Sequence, residues 1–180
     1  EGAREVAVGE GPGHLRDTEA ILIRSGLEEI LRQNGARYLD LNVDDFVEVP
    51  LKANRTGQGR LPVSRSVMSA DLVVSMPKLK THHWAGVTLS MKNLFGTVPG
   101  GVYGWPKNYL HWAGIHECVA DLATHFRGAF AVVDGIIGME GNGPIQGSPK
   151  ATGVIVAGAD LPSVDATCCR IMGLDPLKIR

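Results

Sequence analysis

The sequence predicts an α/β fold, a mainly parallel sheet with flanking helices, and three observations support it. Short apolar runs rich in valine, typical of buried parallel strands, alternate with segments whose apolar residues recur at helical spacing. The two patterns alternate along the chain instead of forming separate blocks, which favours a layered α/β architecture. Glycines number 23 of 180 residues, about 13% against a usual share of about 7%. Many of them follow the apolar runs, where a site is expected.

The composition excludes several classes of protein. Hydrophobic residues make up 44% and charged residues 21%, and the formal net charge is -1. These values are typical of a soluble globular domain, and a chain of this length buries roughly 70% of its unfolded surface. A dedicated nucleic-acid binder would carry a basic excess. No apolar run approaches the roughly 18 residues of a membrane span. We therefore expect neither a nucleic-acid partner nor a membrane partner.

The cysteines indicate the compartment and argue against a metal motif. Cys118, Cys168 and Cys169 are an odd number with two adjacent, and no C-x-x-C pair exists. This pattern predicts free thiols in a reducing, cytoplasmic compartment and no iron–sulfur or zinc motif within the chain. Because the sequence starts at Glu1 and stops after GLDPLKIR, we interpret 1–180 as a single α/β domain from a longer protein.

The first third of the chain predicts a β–α–β unit. Arg4–Glu10 alternates apolar and polar residues, as a strand does. Asp17 is a suitable N-cap for a helix that Gly35 ends, and Ala36–Leu41 is predicted to be the second strand. The predicted buried face of the helix comprises Ile23, Leu27, Ile30 and Leu31. A further strand is expected at Phe46–Leu51, followed by an exposed polar loop at 52–60.

The rest of the chain predicts three more strands and three helices. The strands are the valine-rich runs Ala70–Met76, Ala129–Gly135 and Thr152–Gly158, which we expect to be buried and parallel. The helices are Val87–Phe95, Tyr109–Phe126 and Leu161–Met172, the last ended by Gly173.

The unusual residues follow the predicted strands, where α/β sheets bind ligands. With parallel strands, the segments that begin at Pro77, Asp134 and Gly158 would open at one edge of the sheet and line one cleft. Glycines in the segment after Asp134 allow a close approach of the backbone, and its N–H groups can form an anion site. The alternative is a set of long loops that need tight turns. The expected ligand-binding glycines and amide there are Gly141, Asn142 and Gly143.

Three lysines are candidate binders of negative charge. Lys78 and Lys80 alternate in an extended segment and point the same way. Two neighbouring ammonium groups repel unless an anion or carboxylate lies between them; otherwise they form a solvated pair. Pro77 fixes the chain beneath the first, so we expect Lys80 to matter more. Lys92 and Asn93 lie on the polar side of the short helix and are further ligand-binding candidates.

Histidines and carboxylates are the candidate catalytic groups. His82 and His83 titrate near neutral pH, and adjacent histidines rarely chelate one ion, so at most one is expected to face the site. His111 shares a helix face with buried positions, as a catalytic or a core histidine. Asp134 and Glu140 would orient or accept a proton.

Three blocks of the sequence together resemble the domain of unknown function 362 family. They are PKLKTHHWAGVTLSMKNLFGTVPG, VVDGIIGMEGNGPIQGSP and DLPSVDATCCRIMGLDP, within Asp71–Pro176. The resemblance implies an α/β domain, often joined to a ferredoxin-like module with two four-iron clusters; this chain lacks that cysteine-rich module. The positions that match are Lys78, Lys80, His82, Lys92, Asn93, Gly96, Asp134, Glu140, Gly141, Asn142, Gly143, Pro144 and Asp165.

These observations lead to one functional hypothesis and two rivals. We expect the chain to be an enzyme, or the substrate domain of one, that binds a small anionic or oxygen-rich compound, with the lysines holding charge and His82 or His111 moving a proton. The resemblance adds a redox variant that uses a separate iron–sulfur partner. The rivals are a non-catalytic binding module and a metal-assisted hydrolase in which Asp134, Glu140 and a histidine hold the ion. No cofactor is assigned, and no metal ligands are assigned in the favoured hypothesis.

Overall fold

A computed structural model describes residues 2–13, 16–104 and 108–179. The chain folds into two compact units. The first combines 1–50, 60–69 and 96–110; the second combines 51–59, 70–95 and 111–180. That the chain is a single domain stays a prediction.

Strands and helices are interspersed along the chain, in groups of one to four elements of the same kind. In order, the strands are β1 Ala7–Glu10, β2 Arg37–Asp40, β3 Phe46–Pro50, β4 Arg60–Ser64, β5 Val74–Ser75, β6 Lys78–His82, β7 Gly86–Thr88, β8 Phe130–Asn142 and β9 Gln146–Gly158. The α-helices are α1 Thr18–Ser25, α2 Leu27–Gln33, α3 Arg65–Met68, α4 Ser90–Asn93, α5 Gly100–Tyr103, α6 Asn108–Trp112, α7 Ile115–Ala123 and α8 Leu161–Ile171. The α/β class is confirmed.

The first unit starts with the predicted β–α–β arrangement. Strand β1 pairs in parallel with β2, and the carboxylate of Asp17 accepts a hydrogen bond from the Ala20 N–H at the start of α1. The single predicted helix is two helices, because Gly26 adopts a left-handed conformation with φ of 71°. The predicted buried face is largely wrong: Leu31 is buried, but Ile23 and Ile30 are 58% and 55% exposed.

The other sheet of the first unit is the antiparallel pair β3–β4, of which only β3 was predicted. Apolar side chains on both strands are buried, and the carboxylate of Asp44 accepts hydrogen bonds from Ser64 and Ser66 at the start of α3. The buried residues of these strands are Val49, Leu61, Pro62, Val63 and Ser64.

The second unit is built on a five-stranded mixed sheet. Strand β8 pairs in parallel with β5 and β6 and antiparallel with β9, and β7 pairs antiparallel with β6. The prediction of a mainly parallel sheet is therefore wrong. The prediction that Ala70–Met76 is a buried strand is also wrong in part, since β5 is two residues long and Met76 is 69% exposed.

The segments that were expected to be loops are strands. The residues after Pro77 form β6, and those after Asp134 continue β8 to Asn142. Strand β9 runs antiparallel, so Gly158 pairs with Ala131 near the beginning of β8, whereas Asn142 pairs with Gln146 at its other end. The segment after Gly158 therefore leaves from the opposite end of the long hairpin. The prediction that all three segments line one cleft is wrong for this one.

The predicted helix over Tyr109–Phe126 is interrupted. Gly114, with φ of 110°, separates α6 from α7. The predicted inward positions Ile115, Cys118 and Leu122 are buried, and His111 lies before the break and is half-buried. The helix predicted at Leu161–Met172 is confirmed as α8, with Gly173 at φ of 74° just beyond it.

A partly buried carboxylate attaches α4 to α8. Asp165 on α8 accepts hydrogen bonds from the Ser90 hydroxyl at 2.5 Å, the Ser90 N–H at 2.7 Å and the Met91 N–H at 3.0 Å. It thereby caps the first turn of α4, whose own N-cap residue, Leu89, has no capping side chain. Burial raises the pKa of Asp165, although these hydrogen bonds oppose the shift. This contact positions the helix that carries Lys92.

We expect Asp165→Ala to lower the free energy of unfolding by about 2–3 kcal/mol, because it leaves buried donors on Ser90 and Met91 without an acceptor. Asp165→Asn should lose less, since its amide oxygen still accepts. Urea denaturation measures both, with Asp71→Ala at an exposed position as the control. If Asp165→Ala is as stable as the control variant, the carboxylate does not anchor α4.

Candidate functional site

Five basic side chains gather in the second unit, together with two aromatic rings. We call this group the basic cluster; it comprises Lys80, His82, His83, Lys92 and His111, with Trp84 and Phe95. Strand β6 supplies the first two basic residues and α4 supplies Lys92. The sequence named all five basic residues as candidates, and the fold brings them together from segments up to about 30 positions apart.

The rings of the basic cluster form a continuous series of contacts. His82 and His83 stack with ring centroids 5.0 Å apart, and the next centroid distance, from His83 to Trp84, is 5.5 Å. His111 then lies 5.1 Å from Trp84 and 5.1 Å from Phe95. The imidazole of His111 is thus held between two aromatic rings.

His82 is held as a neutral imidazole that donates from one nitrogen. Its Nδ1 accepts hydrogen bonds from the Trp84 and Ala85 N–H groups, both at 3.1 Å. A nitrogen that accepts cannot carry the proton, so Nε2 is the protonated nitrogen. Burial, and then the charge of Lys92, lower the pKa of His82 to about 4. At neutral pH this side chain therefore presents a hydrogen-bond donor and is not a general base.

His83 is committed to the turn of the long hairpin. Its Nδ1 lies 2.9 Å from the Gly143 carbonyl oxygen, which also accepts from the His83 N–H at 3.0 Å. Because a carbonyl only accepts, Nδ1 is the donor. That at most one of the two neighbouring histidines faces a site stays a prediction.

Lys92 lies on α4 with its side chain partly buried. Its Nζ lies 4.3 Å from the centroid of the Phe95 ring, a cation–π contact. Within the described part of the chain no carboxylate lies within ion-pair distance of it. Burial, together with the nearby charge of Lys80, lowers the pKa of Lys92 to about 8, although Cys118 opposes the shift.

Lys78 and Lys80 have different surroundings. The Nζ of Lys78 lies 2.7 Å from a carboxylate oxygen of Asp134, and the ammonium group holds the pKa of Asp134 below its usual value. Lys80 is half-buried beside His82 and Lys92 and forms no ion pair in the described ranges. A bulge between the two lysines shifts their register on β8, so alternation along the strand does not give them one environment.

The carboxylates expected at the site are engaged elsewhere. Asp134 pairs with Lys78, and Glu140 pairs with Lys150 at 3.3 Å across the hairpin. The two carboxylates are six positions apart in β8, and each is paired with a different lysine. Asn142 contacts Gln146 at the exposed end of the hairpin. The structure therefore does not bring Asp134, Glu140 and Asn142 together.

Two glycines near the turn of the hairpin are required by the conformation and close packing of the backbone. Gly141 has φ of 80°, which favours glycine, and its carbonyl accepts from the Thr81 hydroxyl. A Cβ on Gly143 would overlap the carbonyl oxygen of Thr81, so the close approach of two strands requires glycine there. Asn93, another predicted binder, donates to the Ser75 hydroxyl and joins α4 to β5. These contacts explain the residues structurally, and their role in binding stays a prediction.

The described residues do not fit a metal ion or an iron–sulfur cluster. No group of three or more His, Cys, Asp or Glu side chains in 2–13, 16–104 and 108–179 is arranged to hold a metal. A four-iron cluster takes four thiolates. The three cysteines are buried free thiols, and burial raises the pKa of Cys168 to about 11. The metal-assisted hydrolase would need Asp134, Glu140 and a histidine to hold one ion. The structure does not support this ligand set, because Asp134 and Glu140 pair with different lysines.

Sequence reasoning missed the aromatic part of the cluster. Trp84 and Phe95 lie directly beside named candidates, and a signal was present: an aromatic residue follows the two histidines, and another comes three positions after Lys92. A shallow depression was also not predicted. It lies in the first unit and is lined by Arg16, Asp17, Thr18, Glu19, Asp40, Asn42 and Val43.

The second unit is thus a mixed α/β layer that carries a basic and aromatic cluster beside β6 and α4. The chain belongs to the family described as "Domain of unknown function (DUF362)", whose profile matches residues 1–170. This confirms the resemblance drawn from the three sequence blocks.

One curated relative supports the same assignment. The thylakoid-associated protein sll1697 of Synechocystis sp. is 32% identical over 149 residues, which cover 78% of this chain and 44% of the relative. The chain therefore spans less than half the length of that protein. No solved structure matches the chain. In the described residues no helix has both the length and the apolar character needed to cross a bilayer.

The partly buried ammonium group of Lys92 predicts a pH-dependent stability. Its lowered pKa means that the folded protein binds fewer protons than the unfolded chain between about pH 8 and the ordinary value of 10.5. Stability therefore rises with pH across this window, and the full cost of the buried charge is present below pH 8. We expect Lys92→Met to be more stable than the wild type by about 1–2 kcal/mol at pH 7.

Urea denaturation from pH 7 to pH 11 checks this expectation, and the difference between the two proteins should shrink toward the upper end. Lys78→Met, at the exposed ion pair with Asp134, is the matched control and should show no such window. A constant difference between Lys92→Met and the wild type at all pH values would contradict a lowered pKa.

Proposed function

We propose that this protein binds a small anionic compound at the basic cluster. The observation that supports the proposal most directly is the juxtaposition of Lys80, Lys92 and His82 with no carboxylate partner for either lysine in the described ranges. Other lysines of the same sheet have such partners, Lys78 with Asp134 and Lys150 with Glu140. Positive charge is thus left uncompensated at one place only partly open to water.

The electrostatics of the cluster favour an anion. Each positive group makes the protonation of its neighbours less favourable, which is one cause of the lowered pKa values of His82 and Lys92. An anion placed among them would remove this repulsion and gain charge-assisted hydrogen bonds. The Nε2–H of His82 adds a neutral donor that needs no protonation change. The cluster therefore suits a ligand with several oxygen atoms, such as a carboxylate or a phosphate.

The proposal extends to catalysis through His111. Because the hydrogen bonds that His82 accepts at Nδ1 leave Nε2 as a donor, proton transfer is assigned to His111, which contacts the rings of Trp84 and Phe95. Apolar rings around an imidazole limit its contact with water and suit a group that exchanges a proton with a bound ligand. A ferredoxin-like partner and a cytoplasmic location remain predictions from the sequence and from the family.

Calorimetric titration tests the binding proposal with sulfate and malonate as probes. We expect Lys80→Ala to weaken binding about fivefold or more, which corresponds to about 1 kcal/mol, the scale of one charge-assisted contact. Lys78→Ala is the matched control; because Asp134 already neutralises Lys78, its effect should stay below about twofold. Sulfate binding should also weaken as the pH rises through about 8, where Lys92 loses its proton.

Two outcomes would contradict the proposal. One is the absence of sulfate or malonate binding by the wild type. The other is an equal and small effect of Lys78→Ala and Lys80→Ala, because solvated lysines would behave alike and the unpaired environment of Lys80 would then have no consequence.

A further inference from the structure

We propose that Lys92 is a nucleophile that forms a Schiff base with an anionic oxo acid whose carboxylate is held by Lys80 and His82. The inference rests on the proposed function and names its substrate class: a small compound with both a carboxylate and a reactive carbonyl group. Nothing beyond the basic cluster is needed for it.

The position of Lys92 separates it from the other lysines of the sheet. Its Nζ lies against the face of Phe95 at 4.3 Å and has no carboxylate within ion-pair distance in the described residues. Lys78 and Lys150 are more than half exposed at their side chains and are held by Asp134 and Glu140. An amine that lies on an apolar ring beside other cations, without a counter-ion, is in the setting that activates lysine as a nucleophile.

The protonation of Lys92 agrees with this geometry. Burial and the charge of Lys80 lower its pKa to about 8, so a useful fraction of the side chain is the neutral amine near neutral pH. An exposed lysine is almost wholly protonated there, because its pKa is about 10.4. Only the neutral amine has the lone pair that attacks a carbonyl carbon.

Two neighbours of Lys92, Lys80 and His82, would bind the carboxylate of the substrate. Lys80 and Lys92 both act electrostatically on His82, so the three groups share one neighbourhood. Lys80 supplies an ammonium group and His82 supplies its Nε2–H, two donors suited to the two oxygens of a carboxylate. The bound carboxylate would neutralise Lys80 while the carbonyl, one bond away in a 2-oxo acid, lies toward Lys92.

The reaction balances without a further reagent. The neutral amine of Lys92 attacks the carbonyl carbon, a C–N bond forms, and the electron pair of the C=O π bond moves to oxygen. The two hydrogens of the amine leave with that oxygen as water, and a C=N bond remains. No electrons are exchanged with an oxidant or reductant. Protonation of the imine nitrogen then gives an electron-withdrawing centre next to the substrate's carbon atoms.

Reductive trapping tests the inference. The wild-type protein is incubated at pH 8 with pyruvate and sodium cyanoborohydride, which converts an imine to a stable secondary amine. Intact-mass and peptide mass spectrometry then give the number and position of the adducts. We expect one dominant adduct on Lys92, at least about tenfold above the labelling of Lys78 or Lys150. Acetone, which lacks the carboxylate, should label Lys92 much less than pyruvate does.

Variants separate the roles of the two lysines. Lys92→Arg keeps the positive charge but cannot form the imine, so it should abolish the dominant adduct. Lys78→Arg is the matched control and should leave the adduct unchanged. Lys80→Ala should reduce trapping by pyruvate more strongly than trapping by acetone, because it removes the carboxylate contact as well as part of the charge that lowers the pKa of Lys92. Because the position of the adduct is mapped in the wild type, the test does not depend on the folding of any variant.

The outcomes distinguish this inference from the proposed function. If sulfate and pyruvate bind but trapping spreads evenly over exposed lysines, the Schiff base is wrong and anion binding stands. If neither anion binds, the proposed function is wrong, and with it the substrate class. A dominant adduct on a lysine other than Lys92 would also overturn the inference.

Discussion

The site depends on one partly buried carboxylate. Asp165 accepts three hydrogen bonds from Ser90 and Met91 and so fixes the first turn of α4, a helix of four residues that could not be stable alone. Lys92 follows within that turn, and its position over Phe95 depends on the direction of α4. A contact from α8, far along the chain, thus determines where the most unusual ammonium group lies.

The basic cluster lowers the stability of the folded protein, because it places positive groups close together and partly out of water. Burial, and then repulsion among Lys80, His82 and Lys92, lower the pKa values of His82 and Lys92, so this arrangement costs free energy. The surrounding fold, in which Leu89 and Leu94 beside α4 are buried, sustains that cost. Strained or repulsive groups that a stable scaffold maintains are commonly found at functional sites. The two proposals have a common basis: uncompensated positive charge favours an anion, and the burial that lowers the pKa of Lys92 keeps part of it as the neutral amine.

Local patterns carried much of the prediction. The β–α–β start, the N-cap at Asp17 and the helix α8 with Gly173 beyond it all follow from interactions within a few residues, which a sequence displays directly. Lys80, His82 and His83 were also recognisable, because they follow an apolar run and a proline. The predictions that failed concern pairing between distant segments. Valine-rich runs look alike in parallel and antiparallel sheets, so the sequence could not predict the direction of β9. For the same reason it could not predict at which end of the hairpin Gly158 lies.

The sequence by itself determined the α/β class, the family and the residues from which a site can be built, since these depend on residue type, spacing and order along the chain. Only the tertiary structure decided which of those residues pair with one another and which of them are buried. Pairing across β8 and β9 assigned Glu140 to Lys150, and pairing of β6 with β8 assigned Asp134 to Lys78. Burial and the approach of Phe95 distinguished Lys92 from other lysines. Partners and burial come from segments distant in the chain, and a pKa depends on both, so no local pattern contains them.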